Sequence, residues 1–266
     1  MLEAREVRHL YGDFCALDGV TLGIEPGQFV SIIGPNGAGK STLINVLTGL
    51  LRPSGGAVRF KGRDIRGAGP VRLARLGLAR SFQLVQIFPE LTVIETLQAA
   101  VVSRLGRGFR FLGSLAADSE VRRDAERVAE LFGLAERLDV PSRALPQGDK
   151  KLLDVAAAFA LRPQVILLDE PTSGVSTRDK TAVMEMLVRA SRGMGVEAIL
   201  LVEHDMDIVF GYSDRIVCLQ QGRVLADTTP EGLRADESVL MAMVGRLPAS
   251  RAERGTSAGS PSAAPD

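Results

Sequence analysis

Tryptophan is absent from this chain, and tyrosine, histidine and cysteine occur only twice each. Cys15 and Cys218 lie too far apart for a metal-type spacing, and the two histidines add no metal cluster. Reduced thiols in a cytosolic protein are therefore expected rather than a disulfide framework. No apolar run approaches the ~20 residues that span a bilayer, and residues 1–10 alternate charged with apolar side chains instead of forming a signal-peptide hydrophobic region. By itself, then, the chain is not expected to cross a membrane. A surplus of one charge is also missing: 32 basic residues meet 32 acidic ones, which removes the long-range basic field of a nucleic-acid binder. No nucleic-acid partner is expected. What remains is 266 residues of ordinary apolar content, enough for a real hydrophobic core.

Glycine, by contrast, is placed with purpose. Gly34, Pro35, Asn36, Gly37, Ala38, Gly39, Lys40, Ser41 and Thr42 fit the phosphate-loop pattern G-x-x-x-x-G-K-[ST]. The loop follows an apolar run at 29–33 and precedes a helix-like run at 43–51. Glycines at 34, 37 and 39 let the backbone curl so that successive N–H groups converge on a nucleotide's phosphates. The positive end of the next helix faces the same anion. Lys40 can then reach the outer phosphates, and the Ser41 hydroxyl can serve Mg²⁺. A chance glycine-rich turn would not need a strand before it and a helix after it.

Around this loop the pattern reads as α/β. Alternating runs at 3–10 and 20–24 suggest an antiparallel sheet edge, with another strand at 57–61 after the turn at 53–56. From about 86 to 162 the periodicity becomes helical. Val121, Ala125, Val128 and Phe132 recur at helical spacing with charges between them, which reads as a core-facing helix. Strands return at 165–168 and 198–202 with a helix between them at about 177–192, the alternation of a parallel sheet with crossover helices. A final hairpin is expected around 220–222. Beyond residue 245 the chain is rich in Ser, Ala, Gly and Pro without apolar periodicity, so 246–266 reads as a disordered tail. There is no internal repeat, and hence one nucleotide site's worth of motifs.

The second half of the site is expected where the apolar strand ends in Leu168, Asp169, Glu170 and Pro171. Asp169 can hold Mg²⁺ directly or through water, and Glu170 can polarise an attacking water. Alone, the pair could be two surface charges at a strand end. His204, just after the next strand, could donate a hydrogen bond to a γ-phosphate. A single histidine there is otherwise more often structural.

With these motifs in place, residues 1–245 resemble the ATP-binding subunits of ABC transporters. The resemblance implies a phosphate-loop NTPase core of mostly parallel sheet with crossover helices, an antiparallel β edge and an inserted α-helical subdomain. It divides the single domain into a core of 1–85 and 163–245 and a helical part of 86–162. It implies that Tyr11 stacks on adenine (the alternative being an ordinary edge aromatic) and that Gln83 touches Mg²⁺ and the water. The segment 88–97 would be the surface that grips a membrane subunit's coupling helix. The family signature, usually L-S-G-G-Q, stands here as Leu145, Pro146, Gln147, Gly148 and Asp149. Pro146 removes a serine hydroxyl, leaving N–H groups from Gly148 onward to bind phosphate at a helix start. Ser176 stands where an aspartate is common.

These departures are similar to those of the LivG-like branch, which serves importers of branched-chain and other hydrophobic amino acids. Urea and short-amide importers share that wider branch, and a lipid or polysaccharide exporter subunit is the nearest competitor among transporters. A soluble mechanical ATPase and a poorly hydrolysing regulator are the readings outside transport. What the family implies is ATP and Mg²⁺ as ligands and hydrolysis of ATP coupled to transmembrane movement of a solute. It further implies a dimer with an identical or related ATPase subunit, membrane-spanning permease partners, an indirectly coupled solute-binding protein, and a peripheral place on the cytoplasmic face of the membrane.

Overall fold

The computed structural model describes residues 1–81, 88–106 and 118–244. Gln83 and the tail at 246–266 therefore lie outside the described residues. The chain opens with two long antiparallel strands, β1 (Leu2–Tyr11) and β2 (Phe14–Ile24). Then β3 (Phe29–Ile33) leads into α1 (Lys40–Leu47), followed by β4 (Gly55–Phe60), β5 (Arg63–Asp64), α2 (Pro70–Leu76) and β6 (Leu78–Arg80). Three helices come next: α3 (Val93–Leu105), α4 (Ser119–Leu131) and α5 (Gln147–Ala160). The remainder is β7 (Val165–Asp169), α6 (Thr177–Met194), β8 (Ala198–Val202), α7 (Met206–Tyr212), β9 (Arg215–Gln220), β10 (Arg223–Thr228), α8 (Pro230–Ala235) and α9 (Glu237–Val244).

Two sheets result. One is antiparallel with order β2-β1-β4-β5; the other has order β10-β9-β3-β8-β7-β6, parallel from β9 to β6 and closed by the antiparallel β9–β10 hairpin. Strand β7 is buried at every position, and strand periodicity sends its side chains to two cores. Val165 and Leu167 join Leu200, Val202, the α1 residues Leu43 and Leu47, and the inner residues of the antiparallel sheet. Ile166 and Leu168 join Ile199, Leu201 and the apolar sides of α3, α4, α5 and α6. Burial on both faces is why the parallel strands read as continuous apolar runs while β1 and β4 alternate.

The helical segment is locally specified. The Thr92 hydroxyl accepts from the Glu95 N–H while the Glu95 carboxylate accepts from the Thr92 N–H, a reciprocal cap on α3. Asp118 caps α4. The expected stripe of Val121, Ala125, Val128 and Phe132 is buried against the core, with Phe132 lying 5.2 Å from the Phe159 ring.

Several boundaries differ from the sequence expectation. Helix α1 ends at Leu47, short of the apolar run to 51. Gly49 takes a left-handed φ of 72°, and a Cβ there would fall 2.0 Å from the Ala68 carbonyl oxygen. Only glycine fits, so the chain turns. Strand β2 starts at Phe14, six residues before the alternating run, because pairing with β1 holds it through irregular register. The short elements α2, β6 and α7 to α9 carry too little periodicity to stand out in the sequence.

Candidate nucleotide site

In the parallel sheet the carboxyl ends of β3, β8, β7 and β6 are neighbours, with Ile32 beside Val202 and Asp169 beside Val202 in register. Ligands of open α/β sheets bind at this edge. Each of the functional segments expected in the core, apart from Tyr11, leaves from one of these strands.

From β3 the chain enters the glycine loop. Gly39 caps α1 with φ 101°, and a Cβ there would lie 2.7 Å from the Ala16 carbonyl oxygen on β2. Ala38 is buried; its N–H donates to the Pro35 carbonyl at 3.1 Å and its carbonyl accepts from the Gly222 N–H at 3.0 Å. The β9–β10 hairpin tip thus braces the loop from behind. Asn36, Gly37 and Ser41 are exposed, and Gly34, Pro35, Gly39, Lys40 and Thr42 are half-buried. Helix α1 has no side-chain cap and no acidic residue in its first turn. Its leading N–H groups and positive dipole end are left for an anion, which is the chemistry a phosphate needs.

Lys40 folds over this opening, its Nζ donating to the Gly34 carbonyl at 2.6 Å and the Pro35 carbonyl at 3.1 Å. Burial pulls its ammonium below the ordinary lysine range, while Glu170 and Asp169 act in the opposite sense. Those two carboxylates therefore share the electrostatic environment of the loop lysine.

Asp169 closes β7 and is buried; an Arg80 guanidinium nitrogen donates to its Oδ2 at 2.7 Å. Arg80 also bonds the Asn45 side chain on α1. Glu170 follows in a left-handed conformation, φ 47°, a costly backbone for a residue with a side chain. Its N–H donates to the Val202 carbonyl at 2.9 Å. His204 places Nδ1 3.8 Å from the Glu170 carboxylate and is 63% exposed, so the ring stands at the mouth of the site. Beneath it Glu203, 1% exposed, accepts from the Thr172 hydroxyl at 2.6 Å, the Thr172 N–H at 3.2 Å and the His204 N–H at 3.2 Å.

Loop, Lys40, Asp169, Glu170 and His204 are thus gathered at one edge. Tyr11 is not part of that gathering; it sits half-exposed at the tip of the β1–β2 hairpin, edge-on to the His9 ring at 4.6 Å. The same hairpin touches the loop through Ala16 and Leu17, which abut Gly39 and Gly222. Gly148 lies exposed in the first turn of α5, whose cap residue Pro146 makes no side-chain hydrogen bond. Three residues of the site went unread in the sequence: Arg80, Glu203 and Lys151, whose Nζ donates to the Asp169 carbonyl at 3.2 Å. The available signal was adjacency, since Arg80 precedes Gln83 by three positions and Glu203 precedes His204.

Among the described residues no group of three or more His, Cys, Asp or Glu side chains could cage a metal. A buried aspartate at the end of β7 and an exposed serine hydroxyl at the head of α1 instead suit Mg²⁺, which keeps waters and substrate phosphates as most of its ligands. Among the same residues no helix is long and apolar enough to cross a membrane.

Comparison with known proteins agrees with this geometry. Residues 17–173 match the family model described as ABC transporter. The chain is 37% identical over 241 residues to the high-affinity branched-chain amino acid transport ATP-binding protein LivG of Escherichia coli (strain K12), covering 88% of this chain and 94% of that one. A solved ADP conformation of an ATP-binding cassette of an ABC transporter superposes with a TM-score of 0.77 at 29% identity, covering 92% of this chain and 99% of the other. A dimeric post-hydrolysis cassette bound to ADP and Pi superposes with a TM-score of 0.74 at 26% identity, covering 86% and 99%. With the family model, the sequence relative and the fold in agreement, this chain belongs to the ABC transporter family as an ATP-binding, ATP-hydrolysing subunit.

Proposed function

We propose that this subunit energises uptake of branched-chain or other hydrophobic amino acids from the cytoplasmic face of the membrane, bound to membrane-spanning permease subunits. The observation carrying the solute assignment is the 37% identity, over 88% of this chain, to LivG, a branched-chain amino acid transport protein by name. The observation carrying the chemistry is the uncapped, acid-free start of α1 at Lys40, whose charge Asp169 and Glu170 support.

In this reading the loop's N–H groups, other than at Pro35, which has none, and Ala38, whose N–H donates to the Pro35 carbonyl, join the Lys40 ammonium in holding the β- and γ-phosphates of ATP. Ser41 and Asp169, with Gln83 from outside the described residues, would hold Mg²⁺. The chemistry that ion would supply is neutralisation of the charge that develops on the transferred phosphate. Glu170 orients the attacking water and accepts its proton. His204 stands beside it to donate a hydrogen bond toward the γ-phosphate. Tyr11 stacks on the adenine.

The start of α5, at Gly148, serves the nucleotide of a second ATPase subunit, identical or related, so each site is completed by two chains. Segment 86–162 moves as a helical subdomain against the core of 1–85 and 163–245 and passes closure to the permease. A solute-binding protein couples only through that permease.

The test is reconstitution of the chain with co-purifying permease subunits and their binding protein in liposomes. ATP hydrolysis stimulated several-fold by leucine, isoleucine or valine is expected. Stimulation by urea or a short amide alone, or by no solute at all, would replace the amino-acid assignment.

A further inference from the structure

Lys151 is a buried lysine outside the nucleotide loop. It lies on the second turn of α5, 6% exposed, and its Nζ donates to the Asp169 carbonyl at 3.2 Å. Burial lowers its proton affinity, against which Asp154, Asp169, Glu170 and Glu203 all act to raise it. A lysine is seldom buried unless paired, and here the field of four carboxylates supports the ammonium.

The carbonyl it holds belongs to the peptide that joins Asp169 to Glu170. The N–H of that same peptide donates to the Val202 carbonyl at 2.9 Å. The peptide is therefore fixed from both sides, by β8 through its N–H and by α5 through its carbonyl. It is also the peptide that leads into the left-handed Glu170, φ 47°. Such a conformation persists only where the surroundings over-determine it. Lys151 is among the groups that do so, with the Val202 carbonyl and the Ser173 N–H that donates to the Glu170 carbonyl at 3.0 Å.

The other end of the linkage is the start of α5. Lys151 lies one helical turn after Gly148, so a displacement of the α5 N-terminus is delivered to the Glu170 peptide through a single rigid turn. We propose that Lys151 is a positioning residue for ATP hydrolysis, locking the Asp169–Glu170 peptide to α5 so that the Glu170 carboxylate is aimed only when the α5 N-terminus is seated on a partner's nucleotide. This rests on the reading of the loop and of Glu170 given above. The function served is coupling between two sites, and the residue itself touches no substrate.

The experiment uses the full chain carrying Lys151→Met, Lys151→Gln and Lys151→Arg, with Lys40→Ala for comparison. Binding of a fluorescent ATP analogue, steady-state hydrolysis and, in a Glu170→Gln background, ATP-driven dimerisation by light scattering are measured. The Met and Gln variants are expected to bind nucleotide within about twofold of the parent and to keep KM within about threefold. Their kcat should fall at least about 20-fold, as misaimed catalytic groups do, and the ATP-driven dimer should weaken about tenfold. Arg, which retains charge and donors, should restore kcat to within about fivefold. A parental kcat or an unchanged dimer in the Met and Gln variants overturns the proposal. So does an Arg variant as slow as Met, or failure of both neutral variants to fold, since either marks a residue needed only for the core. If Lys40→Ala binds nucleotide like the parent, the loop assignment falls instead, and the proposal with it.

Discussion

Helices α1 and α5 both begin without a side-chain cap, yet their first turns are charged differently. Helix α1 starts at Gly39 with no acidic residue in its first turn. Helix α5 starts at Pro146 and carries Asp149 in its first turn, ion-paired to Arg137. The purely structural helices α3 and α4 are capped, by Thr92 with Glu95 and by Asp118. A helix start left bare gives up about 1 kcal/mol of capping energy; α2 and α6 lack a side-chain cap as well, and the functional reading assigns phosphates to the starts of α1 and α5. The first is left wholly to an external anion. The second already answers part of its own dipole, so its hold on a partner's nucleotide is the weaker of the two. Affinity for ATP should therefore reside in the loop, and the α5 end should modulate closure.

Removing the acid beside the loop should have the largest effect. Glu170→Gln is expected to cut turnover by roughly 10²–10⁴, the usual contribution of a positioned base. ATP binding stays, and the ATP-driven dimer accumulates because its reopening requires hydrolysis. Turnover close to that of the parent in a phosphate-release assay would strip Glu170 of this role. Next comes Lys40→Ala. Losing a charge-assisted bond worth about 1.5–3 kcal/mol lowers ATP affinity about 10- to 150-fold, read by calorimetric titration. If the loss were no greater than from a change at the α5 start, the asymmetry drawn above would be wrong.

How far each end could be read from sequence follows the same divide. The loop was legible because its nine consecutive residues form one contiguous pattern between a strand and a helix, and Asp169 and Glu170 because a buried strand ends there. Sheet order was partly legible, since β7 and β8 are apolar throughout. Arg80, Lys151 and Glu203 were not. Each is a single charge whose meaning arises from a strand or helix distant in sequence: Arg80 meets Asp169 across 89 positions, and Lys151 meets it across 18. Tertiary contact of that kind leaves no periodicity. Short β6, three residues long, was hidden for the same reason, and the end of α1 depended on the close approach of Gly49 to Ala68.

The smallest effect probes the α5 end directly. In Asp149→Asn one negative charge leaves the first turn of α5 and the Arg137 guanidinium loses its partner. Helix stability should suffer slightly, because a carboxylate near an N-terminus contributes about 0.3–1 kcal/mol. The same charge, however, repels a phosphate arriving at that terminus. In a Glu170→Gln background, where the closed dimer can be measured without turnover, its removal should tighten ATP-driven dimerisation by about two- to fivefold. Nucleotide affinity of the isolated subunit should not move, since the loop site lies on α1. The two quantities separate the two helix starts: dimer affinity rising with monomer affinity constant places Asp149 at the partner's phosphate, whereas dimer weakening would mean that the Arg137 pair holds α5 in its docking posture and that the dipole argument is the lesser force.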